Sequence, residues 1–378
     1  MDVFDQYSAK EAHKLLEQFV SFIKKGYHKE KIKQVLDLRI GNTALAELYS
    51  MARARINAKN KQLPHLFFNL DDLRFCTHQL VAEYRAKQVK GNVVDLCSGV
   101  GIQALAFAKQ AKHVLAIEVD PRKVSYAKKN AELLNIKNIT FLEGNVLAAE
   151  IIQQVKEFHP DVVFCDPERL PEEKERAVEN IQPDLHALVK KYGFCKNIMI
   201  ELPPQIKKIP FEGEKEYISI SHELNRLTVY LNRENKNSVV LLPTEEKISG
   251  LPEKKQFEKA ETPLQYLYEI DPAVIKAELD LLKNEKCIFF YEHLITSNEF
   301  IKNNFLTAYS VIFFSKSKSE IIEKLKELNA GSVIIKGKVD EKEYWTIRNN
   351  FEKELTGNKT FYLFLQEYYC VAEKLLLP

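Results

Sequence analysis

A carboxylate, two glycines and the start of a predicted helix stand close together between residues 93 and 104. The apolar run that begins at residue 93 predicts a buried strand carrying Asp95 near its end. Gly99 and Gly101 can adopt backbone angles closed to other residues, so a ligand can approach the main chain there. The helix predicted from Ile102 leaves free N–H groups at its N-terminus. This combination predicts a site for a nucleotide-like cofactor.

Two classes of cofactor compete for this turn. Gly99-x-Gly101-x-x-Ala104 matches the dinucleotide fingerprint, which permits Ala at its last position. That fingerprint needs an apolar strand where this chain has Asp95. Taken as acidic-x-small-x-Gly-x-Gly, the same residues match the first motif of S-adenosylmethionine (SAM) methyltransferases. Cys97 then takes the first glycine position, Ser98 lies within the turn, and the spacing favours SAM over a dinucleotide.

Further residues follow the predicted strands at positions that suit a cofactor. Glu118 ends the second strand, close to the point about 20 residues after the glycine turn where an acidic residue accepts ribose hydroxyls. Val119 follows it directly, and Asn145 follows the third strand, where an amide offers both a donor and an acceptor to an adenine. Thr77 precedes the first strand, and its hydroxyl either caps a helix or reaches a cofactor carboxylate.

The fourth predicted strand, residues 161–165, is followed by Asp166, Pro167, Glu168 and Arg169. Ligands of open α/β sheets lie at the carboxyl ends of the strands, so this tetrapeptide should flank the reacting group. Asp166 suits an acceptor that carries an N–H, because a carboxylate can orient or remove that proton. Pro167 would shape the slot, and Arg169 would either steer an anionic group or pair with Glu168 at the surface.

Residues 90–245 resemble a class I, Rossmann-like SAM-dependent methyltransferase. The turn around Asp95 and the residues around Glu118 are especially similar to the trimethylguanosine-synthase-like group. Over a longer span the chain resembles methyltransferases that carry a C-terminal THUMP-like domain, on the strength of residues 76–86, 166–169 and 268–277. The resemblance implies SAM as methyl donor. It also implies RNA as acceptor, because true THUMP domains help RNA-modifying enzymes hold structured RNA, and the alternative role of the C-terminal domain is a packing or dimerisation module.

The tetrapeptide after the fourth strand departs from that family. Trimethylguanosine synthases carry Pro-Pro-Trp there, and the aromatic ring stacks on guanine, whereas this chain has no second proline and no aromatic after Pro167. Three classes therefore stay open. They are an RNA methyltransferase acting on a tRNA or rRNA base, which the sequence favours, a methyltransferase for a small molecule or protein, and a SAM-binding RNA-binding module without turnover.

The positive charge of the chain is uneven. Its net charge is only +2, but residues 1–90 hold 16 Lys and Arg against 10 Asp and Glu. Within them Arg53, Arg55, Lys59 and Lys61 occur without a nearby acidic residue, followed by Phe67 and other aromatics. Basic residues beside aromatics bind phosphates and bases, so these four cations are our candidate RNA-binding residues. The alternative is a solvated helix face followed by core phenylalanines.

The bulk properties indicate a soluble, multi-domain protein. The hydrophobic fraction is 45% and the charged fraction 29%, and no apolar run approaches the roughly 18 residues of a membrane helix. The acidic start lacks the features of a secretory signal. Six scattered cysteines without a Cys-x-x-Cys pair fit reduced thiols and predict no metal site. We therefore expect a cytoplasmic protein with no membrane association, and the sequence predicts no oligomeric state.

Alternating strands and helices predict an α/β fold, with a Rossmann-like doubly wound parallel sheet and an antiparallel addition near its end. The expected domains are a helical N-terminal segment at 1–88, the methyltransferase domain at 89–245, a linker and connecting module at 246–300, and a small α+β, THUMP-like domain at 301–378. The last is predicted to run strand, helix, strand, helix, strand.

Overall fold

The computed structural model describes residues 7–63, 65–169, 177–253, 259–281, 288–291, 293–337 and 339–375. The chain divides into two compact units. The first comprises residues 1–218, 226–235 and 242–245, and the second comprises residues 219–225, 236–241 and 246–378. No helix of the described residues is long and apolar enough to cross a membrane.

The first unit begins with helices, as the sequence predicts. A capping box between Ser8 and Glu11 starts the first of them, whose apolar face, including Leu16 and Phe19, is buried. Residues 70–86 form two helices rather than one, because the chain turns extended at Cys76 and a new helix begins after His78. The five helices are α1 (Ala9–Lys24), α2 (Lys29–Val35), α3 (Asn42–Asn57), α4 (Leu70–Phe75) and α5 (Gln79–Ala86).

The rest of the first unit alternates strands with helices. Buried strands that contain β-branched residues, such as the strand at residues 113–118, alternate with amphipathic helices. This pattern yields a parallel sheet. The elements are β1 (Asn92–Leu96), α6 (Ile102–Ala108), β2 (His113–Glu118), α7 (Pro121–Leu133), β3 (Ile139–Glu143), α8 (Ala149–Phe158), β4 (Val162–Cys165), β5 (Glu168–Arg169), β6 (Ile181–Gln182), α9 (Leu185–Tyr192), β7 (Asn197–Leu202), β8 (Glu214–Ile220) and β9 (Glu223–Tyr230).

The sheet of the first unit runs in the order β8-β9-β7-β4-β1-β2-β3. Strands β3, β2, β1, β4 and β7 are parallel, and β9 is antiparallel to β7. Leu96 pairs with Ile117 on one side and with Cys165 on the other, so the carboxyl ends of β1, β2 and β4 lie side by side. This arrangement confirms the predicted Rossmann-like fold class.

The N-terminal helices share one hydrophobic core with the sheet. Phe19 of α1 and Met51 of α3 belong to the same buried cluster as Phe107 of α6 and Phe164 of β4. The rings of Phe107 and Phe164 meet edge to face at 5.3 Å, a geometry that contributes about 0.5–1.5 kcal/mol beyond the buried area. The expected boundary at residue 88 therefore does not separate two cores.

The second unit is built around a larger sheet than the sequence predicts. The elements are β10 (Asn237–Leu242), β11 (Glu246–Gly250), β12 (Tyr266–Ile270), α10 (Pro272–Ala277), β13 (Ile288–Tyr291), β14 (Leu294–Ser297), β15 (Leu306–Ser315), α11 (Lys318–Glu327), β16 (Ala330–Lys336), α12 (Glu341–Glu352), β17 (Lys359–Leu365) and β18 (Tyr369–Lys374). Seven of these strands pair in the order β13-β14-β12-β15-β18-β17-β16.

Strand pairing beyond residue 236 changes two of the expected boundaries. Strand β11 lies inside the segment predicted as a linker and pairs with β10. Its charged residues obscure the apolar alternation by which a strand is recognised in a sequence. Strand β12 pairs with both β14 and β15, so residues 246–300 and the tail form one sheet with no boundary at residue 300. The predicted tail order is present from β15 to β17, and β18 completes it between β15 and β17.

Candidate active site

A cavity of about 910 Å³ opens at the carboxyl ends of the parallel strands of the first unit. Cavities of about 300–1,000 Å³ in this position are the usual ligand sites of open α/β sheets. Its wall is formed by residues that directly follow strands β1 to β4 and by residues of α4, β9 and the turn before α9. All of these residues belong to the first unit.

The turn after β1 has left-handed backbone at alternate positions. The φ angles are +62° at Cys97, +56° at Gly99 and +86° at Gly101. Cys97 thus adopts the conformation that glycine favours, which agrees with its place at the first glycine of the motif. A Cβ on Gly99 would meet nothing within 4 Å, whereas one on Gly101 would lie 3.0 Å from the Cβ of Ala127. Gly99 therefore keeps the cavity open, and Gly101 allows α7 to pack closely.

Glu118 is held by the main chain at the end of β2. One carboxylate oxygen accepts a hydrogen bond from the Gly99 N–H at 2.8 Å, and the other accepts from the N–H groups of Val119 and Asp120 at 3.0 Å. A carboxylate has about four acceptor positions, so capacity remains for a hydroxyl group. Val119 beside it is 66% exposed and lines the cavity, an exposed apolar surface suited to a planar ligand.

Asp95 is buried and poorly satisfied. Its side chain lines the cavity at 1% exposure, and apart from a weak interaction with the Ala104 N–H its oxygens have no hydrogen-bond partner among the described residues. Burial, reinforced by the nearby Asp166 carboxylate, raises the pKa of Asp95 well above its ordinary value, and the Arg85 guanidinium opposes this rise. A buried acceptor without a donor indicates a missing ligand or proton.

Three further cofactor candidates line the same cavity. Ser98 lies in the turn, with its hydroxyl unpartnered among the described residues. Thr77 is 4% exposed and is not the helix cap, because the imidazole of His78 caps α5 by accepting from the Leu80 N–H. Asn145 is exposed at the wall, and its side-chain oxygen accepts from the Leu147 N–H. The structure therefore leaves Thr77 at the cavity and excludes its alternative role as the cap of α5.

The residues after β4 form another part of the wall. Asp166, Pro167 and Glu168 line the cavity. The Glu168 carboxylate lies 3.9 Å from the Lys123 ammonium, within ion-pair distance. Arg169 ends β5, and its side chain lies outside the described part of the chain.

Sequence reasoning missed Arg226 and Phe75, which also line the cavity. Arg226 is 8% exposed, its Nε lies 3.2 Å from the Glu201 carboxylate, and it donates to the Phe75 carbonyl at 3.4 Å. Burial would lower the pKa of Arg226, but the carboxylates of Glu201 and Asp166 outweigh burial and raise it. The cation therefore stays charged, and no local motif marks it because Phe75 and Arg226 are 151 residues apart in sequence.

A second buried arginine supports this wall. Arg85 is fully buried and forms an ion pair with Glu201, which it therefore shares with Arg226. Arg85 also donates to the Gln103 side chain at 2.7 Å and to the Thr228 hydroxyl at 3.1 Å. These contacts explain how two arginines are accommodated inside the protein, since buried charges need paired partners.

The four predicted RNA-binding cations differ in their availability. Arg55 is 3% exposed, and its guanidinium donates to Glu17 and to the carbonyls of His65 and Leu66. The prediction of an exposed phosphate-binding side chain is therefore wrong for Arg55, because these acceptors draw it into the core. Lys61 donates to three carbonyls at and beyond the end of α4. Arg53 and Lys59 are exposed.

Arg55 also bears on the expectation of no metal site. His13, Glu17 and His65 offer ligand atoms within 4.8 Å of one another. The Arg55 guanidinium lies 3.1 Å from His13 Nδ1 and 3.0 Å from Glu17, so a metal cation there would face a like charge. These three residues instead hold the buried Arg55 guanidinium in place.

The fold and the glycine turn define a Rossmann-like α/β protein with a nucleotide-type cofactor site at the carboxyl edge of its sheet. Residues 90–207 match the model of a family described as RNA cap guanine-N2 methyltransferase. An "Uncharacterized RNA methyltransferase" of Enterococcus faecalis is 43% identical over 94 residues, or 24% of this chain and 20% of that protein. A Clostridium tetani protein of the same description is 34% identical over 92 residues, or 24% and 20%. The matched segment thus spans about a fifth of these relatives.

One solved structure resembles nearly the whole chain. A crystal structure described as a "putative methyltransferase from Porphyromonas gingivalis W83" covers 97% of this chain, and the chain covers 99% of that structure, with a TM-score of 0.75. The sequences are 18% identical, so this likeness establishes the shared fold.

Proposed function

We propose that this protein is a SAM-dependent methyltransferase whose acceptor is a base in RNA. The observation that carries the proposal is the left-handed turn after β1, which leaves open space at Gly99 and is flanked by buried Asp95 and the main-chain-bound carboxylate of Glu118. An acidic strand end followed by such a turn is the first motif of this enzyme class. The family match over residues 90–207 supports the same assignment.

The residues of the cavity fit SAM. The unsatisfied Asp95 carboxylate suits the positively charged methionine end, with Ser98 and Thr77 beside it as hydroxyl donors. Glu118 has free acceptor capacity for ribose hydroxyls, and exposed Val119 and Asn145 suit an adenine ring and its polar edge. When bound, SAM supplies an electrophilic methyl group on its sulfonium sulfur.

Asp166 has the proposed catalytic role. Its carboxylate would accept a hydrogen bond from an acceptor N–H and take that proton as the nitrogen becomes alkylated. Pro167 would shape the acceptor slot beside Asp166, and Arg169 would bind an anionic group of the acceptor. The protein's other contribution to methyl transfer is to hold the nucleophile in line with the methyl group, because correct positioning removes a large part of the entropic barrier.

RNA is the acceptor that the sequence relatives favour. The similar proteins of Enterococcus faecalis and Clostridium tetani are described as RNA methyltransferases, although the match covers a fifth of their length. Exposed Arg53 and Lys59 provide cations for phosphates in the first unit. In the second unit, the resemblance of its last strands and helices to a THUMP-like domain suggests a further RNA-binding surface.

The test is methyl transfer by the full chain. Radiolabelled SAM is incubated with total RNA from cells that lack this protein, and nuclease-sensitive label is expected. Asp166→Asn should abolish the label, whereas the exposed Glu157→Gln should keep it. Label absent from RNA, with SAM binding detected by calorimetry, would overturn the RNA assignment in favour of a small-molecule or protein acceptor. Loss of SAM binding as well would overturn the cofactor assignment.

A further inference from the structure

The cavity contains an aromatic ring that the residues after β4 do not supply. Phe75, the last residue of α4, is 39% exposed and lines the cavity. Ligand pockets are lined mainly by apolar and aromatic side chains, and the face of an aromatic ring can stack on a planar partner. Base-modifying enzymes that extrude a nucleotide stack its base on such a ring. The stacking surface absent after Pro167 is thus available from a helix far earlier in the chain.

Phe75 is fixed relative to the buried cation of the site. Arg226 donates to the Phe75 carbonyl, and its Nε is held by Glu201. Arg226 and Asp166 interact electrostatically, yet no ion pair within 4.0 Å joins them among the described residues. A hydrogen-bond donor and a hydrogen-bond acceptor therefore line the same cavity without pairing directly with each other. Such a pair recognises the edge of a base that presents an acceptor next to an N–H.

We propose that Phe75 stacks on the acceptor base while Arg226 donates to that base's edge and so presents its N–H to Asp166. This inference rests on the proposed RNA methyltransferase function and names the residues that would select a base as the acceptor. Stacking accepts any base through its face, and the Arg226–Asp166 pair adds selectivity through the edge.

Arg74 extends this surface by one residue. It is exposed, its guanidinium lies 5.7 Å from the centre of the Phe75 ring, and it has no carboxylate within 4.0 Å among the residues the structure describes. A cation beside a stacking ring is the usual pairing at single-stranded nucleic-acid sites, where it binds the backbone phosphate of the stacked nucleotide.

The first test is a set of substitutions in the full chain. Phe75→Ala should lower kcat/KM for RNA methylation about 10- to 100-fold, as loss of one stacked base does, with unchanged affinity for S-adenosylhomocysteine (SAH). Phe75→Tyr keeps the ring and should retain activity. Phe194→Ala is the matched control, because Phe194 is also exposed with a lysine over its ring but does not line the cavity. Wild-type kcat/KM in Phe75→Ala would overturn the proposal.

Arg226→Lys tests the edge contact. Lysine keeps the charge beside Glu201 but loses the planar fork, so we expect about a 10-fold lower kcat/KM at unchanged SAH affinity. Full activity of this variant would remove Arg226 from the proposal.

Ultraviolet cross-linking of the wild type to the same RNA tests stacking without turnover. Trypsin should release a cross-linked peptide that begins at Phe75 and ends at Arg85. Cross-linking at Phe75 without methyl transfer would support the stacking site and overturn the proposed enzymatic activity. Methyl transfer with cross-links only at other residues would overturn the stacking site and leave the proposed function standing.

Discussion

The two halves of the cavity are held in different ways. In the cofactor half, the main chain shapes the site, through left-handed turn residues and through Glu118, whose carboxylate accepts three backbone N–H groups. In the acceptor half, long side chains shape the site, because Arg226 is positioned by Glu201, which also pairs with buried Arg85. Substitutions that change backbone freedom should therefore impair the cofactor half, and substitutions that change charge should impair the acceptor half.

Asp166→Asn should show the largest difference between its effect on methyl transfer and its effect on cofactor binding. Asparagine keeps the shape but removes the proton acceptor, so we expect kcat for RNA methylation to fall by about 10²- to 10⁴-fold. SAH affinity measured by calorimetry should stay within a few-fold of the wild type. An equal loss of SAH affinity would mean that Asp166 belongs to the cofactor half.

Glu201→Leu should destabilise the protein strongly. It leaves Arg85 and Arg226 buried without their shared carboxylate, which costs about 3–5 kcal/mol in the free energy of unfolding. Urea denaturation measures this loss. Glu245→Gln is the matched control, because it breaks an exposed pair with Lys87 and should cost less than about 1 kcal/mol. Equal costs for the two variants would contradict a buried network beneath the acceptor half.

Alanine substitutions at Gly99 and Gly101 should distinguish a glycine that leaves space for the ligand from a glycine that allows close packing of α7. Both positions have positive φ, so each substitution costs about 1–2 kcal/mol in stability. Gly99→Ala places its methyl group in the open space of the turn and should weaken SAH binding about 10-fold. Gly101→Ala meets Ala127 at 3.0 Å and should lower the urea midpoint further. A greater loss of SAH affinity in Gly101→Ala than in Gly99→Ala would reverse the roles assigned to the two glycines.

Asp95→Asn should change how stability depends on pH. The folded-state pKa of Asp95 is raised by burial, so its protonated form stabilises the fold at low pH, and this contribution is lost as pH rises above about 4 through the folded pKa. The free energy of unfolding of the variant should equal that of the wild type near pH 4 and exceed it by roughly 1 kcal/mol at pH 8. A gain of this size is usual when a destabilising functional group is replaced. Urea unfolding at several pH values measures the difference, and a pH-independent difference would contradict the raised pKa.

The same contrast explains which parts of the site the sequence predicts. Asp95, Cys97 and Gly99 lie in one strand-turn segment, where spacing along the chain equals spacing in the fold, and all three line the predicted cavity. Phe75 and Arg226 meet only in the folded chain, where the Arg226 guanidinium donates to the Phe75 carbonyl, and no periodicity along the chain encodes that contact.

Burial of single charged residues was equally hidden from the sequence. Arg53 and Arg55 are both cations on one helix, yet Arg55 points to Glu17 and two carbonyls while Arg53 is exposed. The strand at Glu246–Gly250 was obscured by its charged residues, because pairing with β10 rather than apolar alternation sets its structure.

The smallest expected effect concerns the exposed cations of the helical segment. The double variant Arg53→Ala with Lys59→Ala should weaken RNA binding only a few-fold. It should reduce the slope of log affinity against log salt by about 0.7 for each single-strand phosphate that the protein no longer neutralises. Binding titrations at several salt concentrations measure the slope, with Lys10→Ala and Lys14→Ala on exposed positions of α1 as the charge-matched control. Equal slopes for the two double variants would confine specific RNA contacts in the first unit to the acceptor half, where Arg74 lies beside Phe75.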